Sequence, residues 1–228
     1  MSALYFLFAL LGLMSVFGSL IYGFHYDAAA PVENYIYNVA LYGIWVFVHI
    51  LMVLPFFKRM VYGSPKSSGI ERRVFITVST LTWWAVYYLH QPVPGPALEL
   101  GYWAGFAGVC LSLLGFFAFL EGFTFGALRA FVGVDAEALS HSADDVAPLN
   151  MAGSYARVRH PMYQGAMIAG VGGLLIHPHM GQLMWTAMIG LTFLLFIPYE
   201  ESQLLKRRGE EYRVYMKNVK YRVFPYIW

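Results

Sequence analysis

Apolar positions in this chain fall into long runs separated by short polar punctuation. Six stretches stay apolar far enough to read as transmembrane helices: residues 3–24, 36–57, 74–90, 101–120, 162–177 and 182–199. About 20 apolar residues carry a helix across the hydrocarbon of a bilayer. The pattern predicts an all-α protein, a polytopic transmembrane helix bundle of about six spans forming a single domain over residues 1–228. Two polar segments interrupt it, the loop 121–160 and the tail 200–228, and together they read as a polar cap over one end. The first run, "MSALYFLFALLGLMSVFGSLIYGF", lacks a basic n-region and exceeds the length of a signal h-region, so it reads as a first span.

Composition strengthens that reading. Hydrophobic residues make up 59% of the 228 and charged residues 12%, against about 25% charged in soluble domains. Sorting the basic residues orients the spans. Lys58, Arg59, Lys66, Arg72 and Arg73 lie between the second and third. Arg129, Arg157 and Arg159 lie between the fourth and fifth. Lys206, Arg207, Arg208, Arg213, Lys217, Lys220 and Arg222 follow the sixth. All 15 Lys and Arg thus fall on one side, which the positive-inside rule makes cytoplasmic. Both termini are then cytoplasmic, and the chain is expected as a multi-pass protein of a bacterial inner membrane or its equivalent. The net charge of +2 comes without a basic block for nucleic acid. The one cysteine, Cys110, excludes an intrachain disulfide and reads as a small packing residue.

Candidate chemistry concentrates at two places. In "RVRHPMYQG", Pro161 suits the first turn of a helix. Arg159 and His160 then stand at its N-terminus, where free N–H groups and the dipole favour an anion. Tyr163 and Gly165 follow on the first turn. The competing reading is positive-inside anchoring by snorkelling arginines. In "PYEESQLLKRRGEEYRVY", Glu200 and Glu201 close an apolar run after Pro198, against the helix dipole. Pairing with Arg159, or with a ligand's hydroxyls or cation, would offset that. Leu204 follows one turn on, and Tyr212 and Tyr215 share a face of a second segment. His49 is ionisable inside a span and is a functional candidate for that reason; a neutral, hydrogen-bonded histidine is the alternative. His177 and His179 lack a third ligand nearby, so no metal site is expected. Glu121 reads as a structural partner of Arg129, and "GVGG" at 170–173 is no dinucleotide fingerprint because no strand precedes it.

Together the two elements resemble the isoprenylcysteine carboxyl methyltransferase superfamily. Arg159-His160-Pro161-x-Tyr163-x-Gly165 looks like its RHPxYxG element. Its second element is matched by Glu200-Glu201-x-x-Leu204, Gly209-x-x-Tyr212-x-x-Tyr215 and Val219-x-x-Arg222-x-x-Pro225. Arg208 replaces the usual aromatic before the glycine. The rest resembles the methanethiol S-methyltransferase and nurim branch, through His49, Met52, Pro55, Phe57 and Lys58, through Glu71-Arg72, through Phe125 to Arg129, and through the outer turn "HPHMGQLMW".

The resemblance implies a membrane-embedded S-adenosylmethionine-dependent methyltransferase with its active site at the cytoplasmic face, releasing S-adenosylhomocysteine. Arg159, His160, Tyr163, Gly165, Glu200, Glu201, Leu204, Tyr212 and Tyr215 would form the cofactor site. Arg159 and His49 would serve catalysis, His49 as a base or thiol-orienting group. The partners implied are membrane lipids and a small thiol acceptor of the methanethiol kind. Alternatives are an isoprenylated cysteine carboxylate, a lipid acceptor, or a non-catalytic nurim-like or haem-binding protein using His49 and His90.

Overall fold

The computed structural model describes residues 2–64, 69–122, 128, 131–133 and 149–227, and helices are the only extended regular elements among them. Two isolated β-bridges pin connections together, Tyr26 with Val93 and Ala97 with His179. The helices are α1 (Ser2–Tyr22), α2 (Glu33–Val53), α3 (Pro55–Tyr62), α4 (Gly69–Leu89), α5 (Gly101–Glu121), α6 (Pro161–Ile176), α7 (Met180–Arg208) and α8 (Glu210–Asn218), with a 3-10 turn at Gly153–Ala156. Of these, α1, α2, α5 and α7 are long and apolar enough to cross a membrane. Helix α4 is long enough, but Glu71, Arg72 and Arg73 occupy its first turns. Helix α6 has 16 residues, a rise of about 24 Å against about 30 Å of hydrocarbon. Large side chains such as Leu4, Ile36, Phe117 and Leu195 face outward, as a surface solvated by lipid allows. Cys110 is exposed too, so it is not the packing residue expected.

Two boundaries depart from the apolar pattern. The expected span 36–57 stops at Val53, because Pro55 lacks an N–H and forces Leu54 into an extended conformation (φ −69°, ψ 135°). Pro55 then serves as the first residue of α3. Helix α7 instead runs past the expected end at 199 and through Pro198 to Arg208, where Gly209 at φ 55° ends it. The tightest contact pairs α5 with α6 through glycine. A Cβ on Gly115 would lie 2.5 Å from the Gly165 carbonyl oxygen, and one on Gly108 would lie 2.6 Å from that of Gly172. Small residues let these backbones touch.

Helices α2 and α7 start at the same end of the bundle. There Asn34 and Asn38 donate to the carbonyls of Pro92 and Gln91, and the Met180 N–H donates to Pro96. The two helices therefore run parallel. They meet where the Tyr42 hydroxyl lies 3.0 Å from Thr192 Oγ1.

Candidate functional site

The opposite end of α7 carries the cluster on which both sequence elements converge. The chain from Val158 to His160 runs beside the tail. The Arg159 N–H donates to Tyr221 (2.9 Å) and the His160 N–H to the carbonyl of Arg222 (2.8 Å). One turn into α6, the Gln164 amide donates to the Val223 carbonyl at 2.8 Å. Val158 and Val223 are buried at this seam, so the tail is clipped to the start of α6 by backbone and apolar contacts alike.

Inside the seam, Arg159 donates through Nε to Glu201 Oε1 at 2.7 Å and through Nη1 to the carbonyls of Val219 and Lys220, both at 2.8 Å. Glu201 also accepts from Arg222 Nε at 3.0 Å, on Oε2, and faces His160 Nε2 at 3.3 Å. Arg159 and Glu201 are buried. Both oxygens of Glu201 are thus engaged by side chains of the protein itself, and the guanidinium expected to meet a ligand anion is bonded to a carboxylate and two carbonyls. The adjacent acid differs. Glu200 leaves 36% of its side chain exposed, accepts from the Tyr163 hydroxyl at 2.7 Å and lies 3.5 Å from His160 Nδ1. Burial pushes the His160 imidazole down in pKa, but its bonds to Glu200 and Glu201 more than offset this, and the net shift is upward. The two acids on either side of the ring therefore favour the cationic form of His160.

Aromatic rings floor the cluster. Tyr163 stacks on His160 (5.5 Å between centroids) and on Phe193 of α7 (4.6 Å). The Tyr215 hydroxyl donates to the Tyr155 carbonyl at 2.8 Å, which ties α8 to the 3-10 turn. Burial, with Tyr155 and Glu201 adding to it, pushes the Tyr215 phenol up to about 12. The neighbouring Ser154 Oγ is buried with no hydrogen-bond partner among the described residues.

Comparisons with known protein families, with curated proteins and with solved structures return no match. The geometry alone must therefore sort the sequence candidates. It brings together Arg159, His160, Tyr163, Glu200, Glu201, Tyr212 and Tyr215. Leu204 packs with Tyr212, Tyr215 and Val219 in the apolar cluster beneath the tail. Gly165 faces α5, where its missing side chain admits Gly115. His49 has other neighbours: Ser79 Oγ at 3.1 Å from Nδ1, and the rings of Trp45 and Phe75. His90 uses both ring nitrogens within the protein, on the His25 N–H and the Tyr87 carbonyl. Glu121 lies 3.9 Å from Arg157, while Arg129, its expected partner, and most of Phe125 to Arg129 lie outside the described residues. So do Lys66 and the acidic part of the 121–160 loop. Among the described residues no cluster of three or more His, Cys, Asp or Glu could hold a metal. Sequence reasoning did not name Ser154, Tyr155 or Arg222 as site residues. Only Arg222 had a signal, its place in the second element.

Proposed function

We propose that this protein is a membrane-embedded S-adenosylmethionine-dependent methyltransferase whose acceptor is a small thiol. In this reading it belongs to the superfamily its two elements resemble. It crosses the membrane six times, with α4 and α6 joining the four longer helices, and the cluster faces the cytoplasm, where the positive-inside rule puts every basic residue. The observation that carries the reading is the division between the two glutamates. Glu201 is consumed in holding the tail; Glu200 stands partly open beside Tyr163 and His160.

That donor set fits S-adenosylmethionine. A partly open carboxylate suits an ammonium group or a pair of ribose hydroxyls, and stacked aromatics suit a purine. When bound, this cofactor supplies an electrophilic methyl group on a sulfonium. Glu200 and Tyr163 would bind and orient it. Arg159, Glu201 and Arg222 would fix the tail that walls it off, and His160 would keep both acids ionised. Holding two reactants in line contributes about 7–11 kcal/mol to barrier lowering. A thiol reacts as its thiolate, and His49 would take the S–H proton at Nε2. Purified protein given methyl-labelled S-adenosylmethionine with small thiols, prenylcysteines or phospholipids tests this. A volatile labelled thioether supports the reading; label on prenylcysteine or lipid alone moves the acceptor class, and no product with any of them sinks it.

A further inference from the structure

The short helix α3 has its polarity reversed. Of its eight residues only Lys58 is buried. Lys58 is 7% exposed and pairs at 3.1 Å with Glu71 of α4, which is 1% exposed. Phe56 and Met60, one turn apart, are 60% and 71% exposed, and Arg59 is exposed with them. At about 3.6 residues per turn, Phe56, Arg59 and Met60 form one stripe and Lys58 points the other way. A helix lying on a water-soluble surface does the opposite, with its apolar face inward and its charges outward. The outward apolar surface also continues on either side of α3 in the chain, through Ile44 and Phe47 of α2, both 64% exposed, and Ile70 of α4, 70% exposed.

We propose that α3 is an interfacial helix whose partner is phospholipid: acyl chains cover Phe56 and Met60, and Arg59 reaches the phosphate. The depth fits. Helix α2 has 21 residues, a rise of about 31 Å, which matches about 30 Å of hydrocarbon. Helix α3 therefore begins where the leaflet ends. The extended Leu54 takes the chain off the α2 helix, and Gly63 at φ 70° ends α3. Its eight residues rise about 12 Å, too little to cross. An amphipathic helix at this level sinks its apolar face toward the acyl chains, while an arginine snorkels to the headgroups. Inward, Lys58 meets Glu71 away from water, so α3 shields this ion pair from the aqueous phase. The aqueous surface then begins beyond α3, not at the end of α2. From the Tyr42–Thr192 contact, Val53 lies eleven residues on and Glu200 eight. These are rises of about 16 and 12 Å in the same direction, so α3 sits near the level of the Glu200–Glu201 step. The proposal requires the bundle to lie in a membrane and is independent of methyl transfer.

The first test needs no variant. The wild-type chain, in nanodiscs of phosphatidylcholine and phosphatidylglycerol, is footprinted with hydroxyl radicals and methionine oxidation is read by mass spectrometry. Met151, 51% exposed in the polar cap, is the aqueous reference, and Met14, 54% exposed on α1, is the lipid reference. Met60 should oxidise at least tenfold more slowly than Met151, as Met14 does. Oxidation of Met60 at the Met151 rate overturns the proposal. The second test identifies what covers the stripe. Spin labels are placed at Phe56→Cys and Met60→Cys in a Cys110→Ser background, because Cys110 is exposed. Labels in lipid collide readily with oxygen and poorly with a water-soluble nickel chelate, and Leu195→Cys, on a side chain 77% exposed on α7, supplies that reference. The Phe56 and Met60 positions should behave as Leu195 does. Labels reached by nickel as freely as in buffer, or labels shielded from both relaxants as under a second copy or another protein, overturn the proposal. A label at Arg59→Cys should be reached by both relaxants, as a headgroup position is; one reached by oxygen alone removes Arg59 from the phosphate.

Discussion

Replacing Glu201 with glutamine keeps the side-chain volume and removes the charge on which Arg159, His160 and Arg222 converge. Arg159 is 6% exposed at its side chain, so the substitution leaves a buried guanidinium facing a neutral amide. Removing one partner of a buried ion pair costs about 3–5 kcal/mol. Two of the Arg159 bonds, to Val219 and Lys220, survive and place the expected loss at the low end, about 3 kcal/mol. For a chain of this length 1 kcal/mol moves the melting temperature by about 2–4 °C, so Glu201→Gln should melt about 6–12 °C lower. Glu200→Gln is the matched control. It is 36% exposed at its side chain and loses the charge-assisted part of its bond from Tyr163 together with its attraction to His160 Nδ1 at 3.5 Å, about 1 kcal/mol at this exposure. Tryptophan-detected thermal unfolding in detergent reads both. Equal shifts for the two variants, or a shift under about 2 °C for Glu201→Gln, would refute the argument that Glu201 holds the tail and Glu200 does not.

The raised pKa of His160 sets a pH dependence. Its cationic form is favoured by folding, so this contribution is complete below the ordinary value of 6.5 and is lost as pH rises through the shifted value. Melting temperature followed from pH 6 upward should fall more steeply in the wild type than in His160→Gln. Gly115→Val should lower stability by about 3 kcal/mol, because its Cβ meets the Gly165 carbonyl. Gly43→Ala, where a Cβ meets nothing, should raise stability by up to about 1 kcal/mol; urea or thermal melts compare them. Lys58 and Glu71 form a buried pair at 3.1 Å, so Lys58→Met should cost about 3 kcal/mol and the double variant with Glu71→Leu should recover most of it, as a thermodynamic cycle would show.

The chain's own pattern made some of this legible and hid the rest. The helical bundle and the pairing of Arg159 with the Glu200–Glu201 step were both visible, because charges beside apolar runs need partners. The number of bonds Arg159 makes within the protein was not, since a guanidinium at a helix start serves a ligand or a carboxylate equally well. The break at Leu54 follows from Pro55, yet the apolar run continues through it. The resemblance puts Gly165 in the cofactor site, and the backbone that comes close to it is that of α5; a glycine records only that something comes close. The interior aromatics were least visible. Helices apolar on all faces show no moment, so Trp83 and Trp185 look the same in sequence as the outward-facing Trp103, which is 76% exposed.

The central claim is that the partly open carboxylate beside the tail receives the methyl donor. Calorimetric titration of the purified protein with S-adenosylhomocysteine tests it most directly. The account predicts saturable binding that weakens at least tenfold, a loss of about 1.4 kcal/mol, in Glu200→Gln. No binding to the wild type, or full affinity retained in Glu200→Gln, would contradict it.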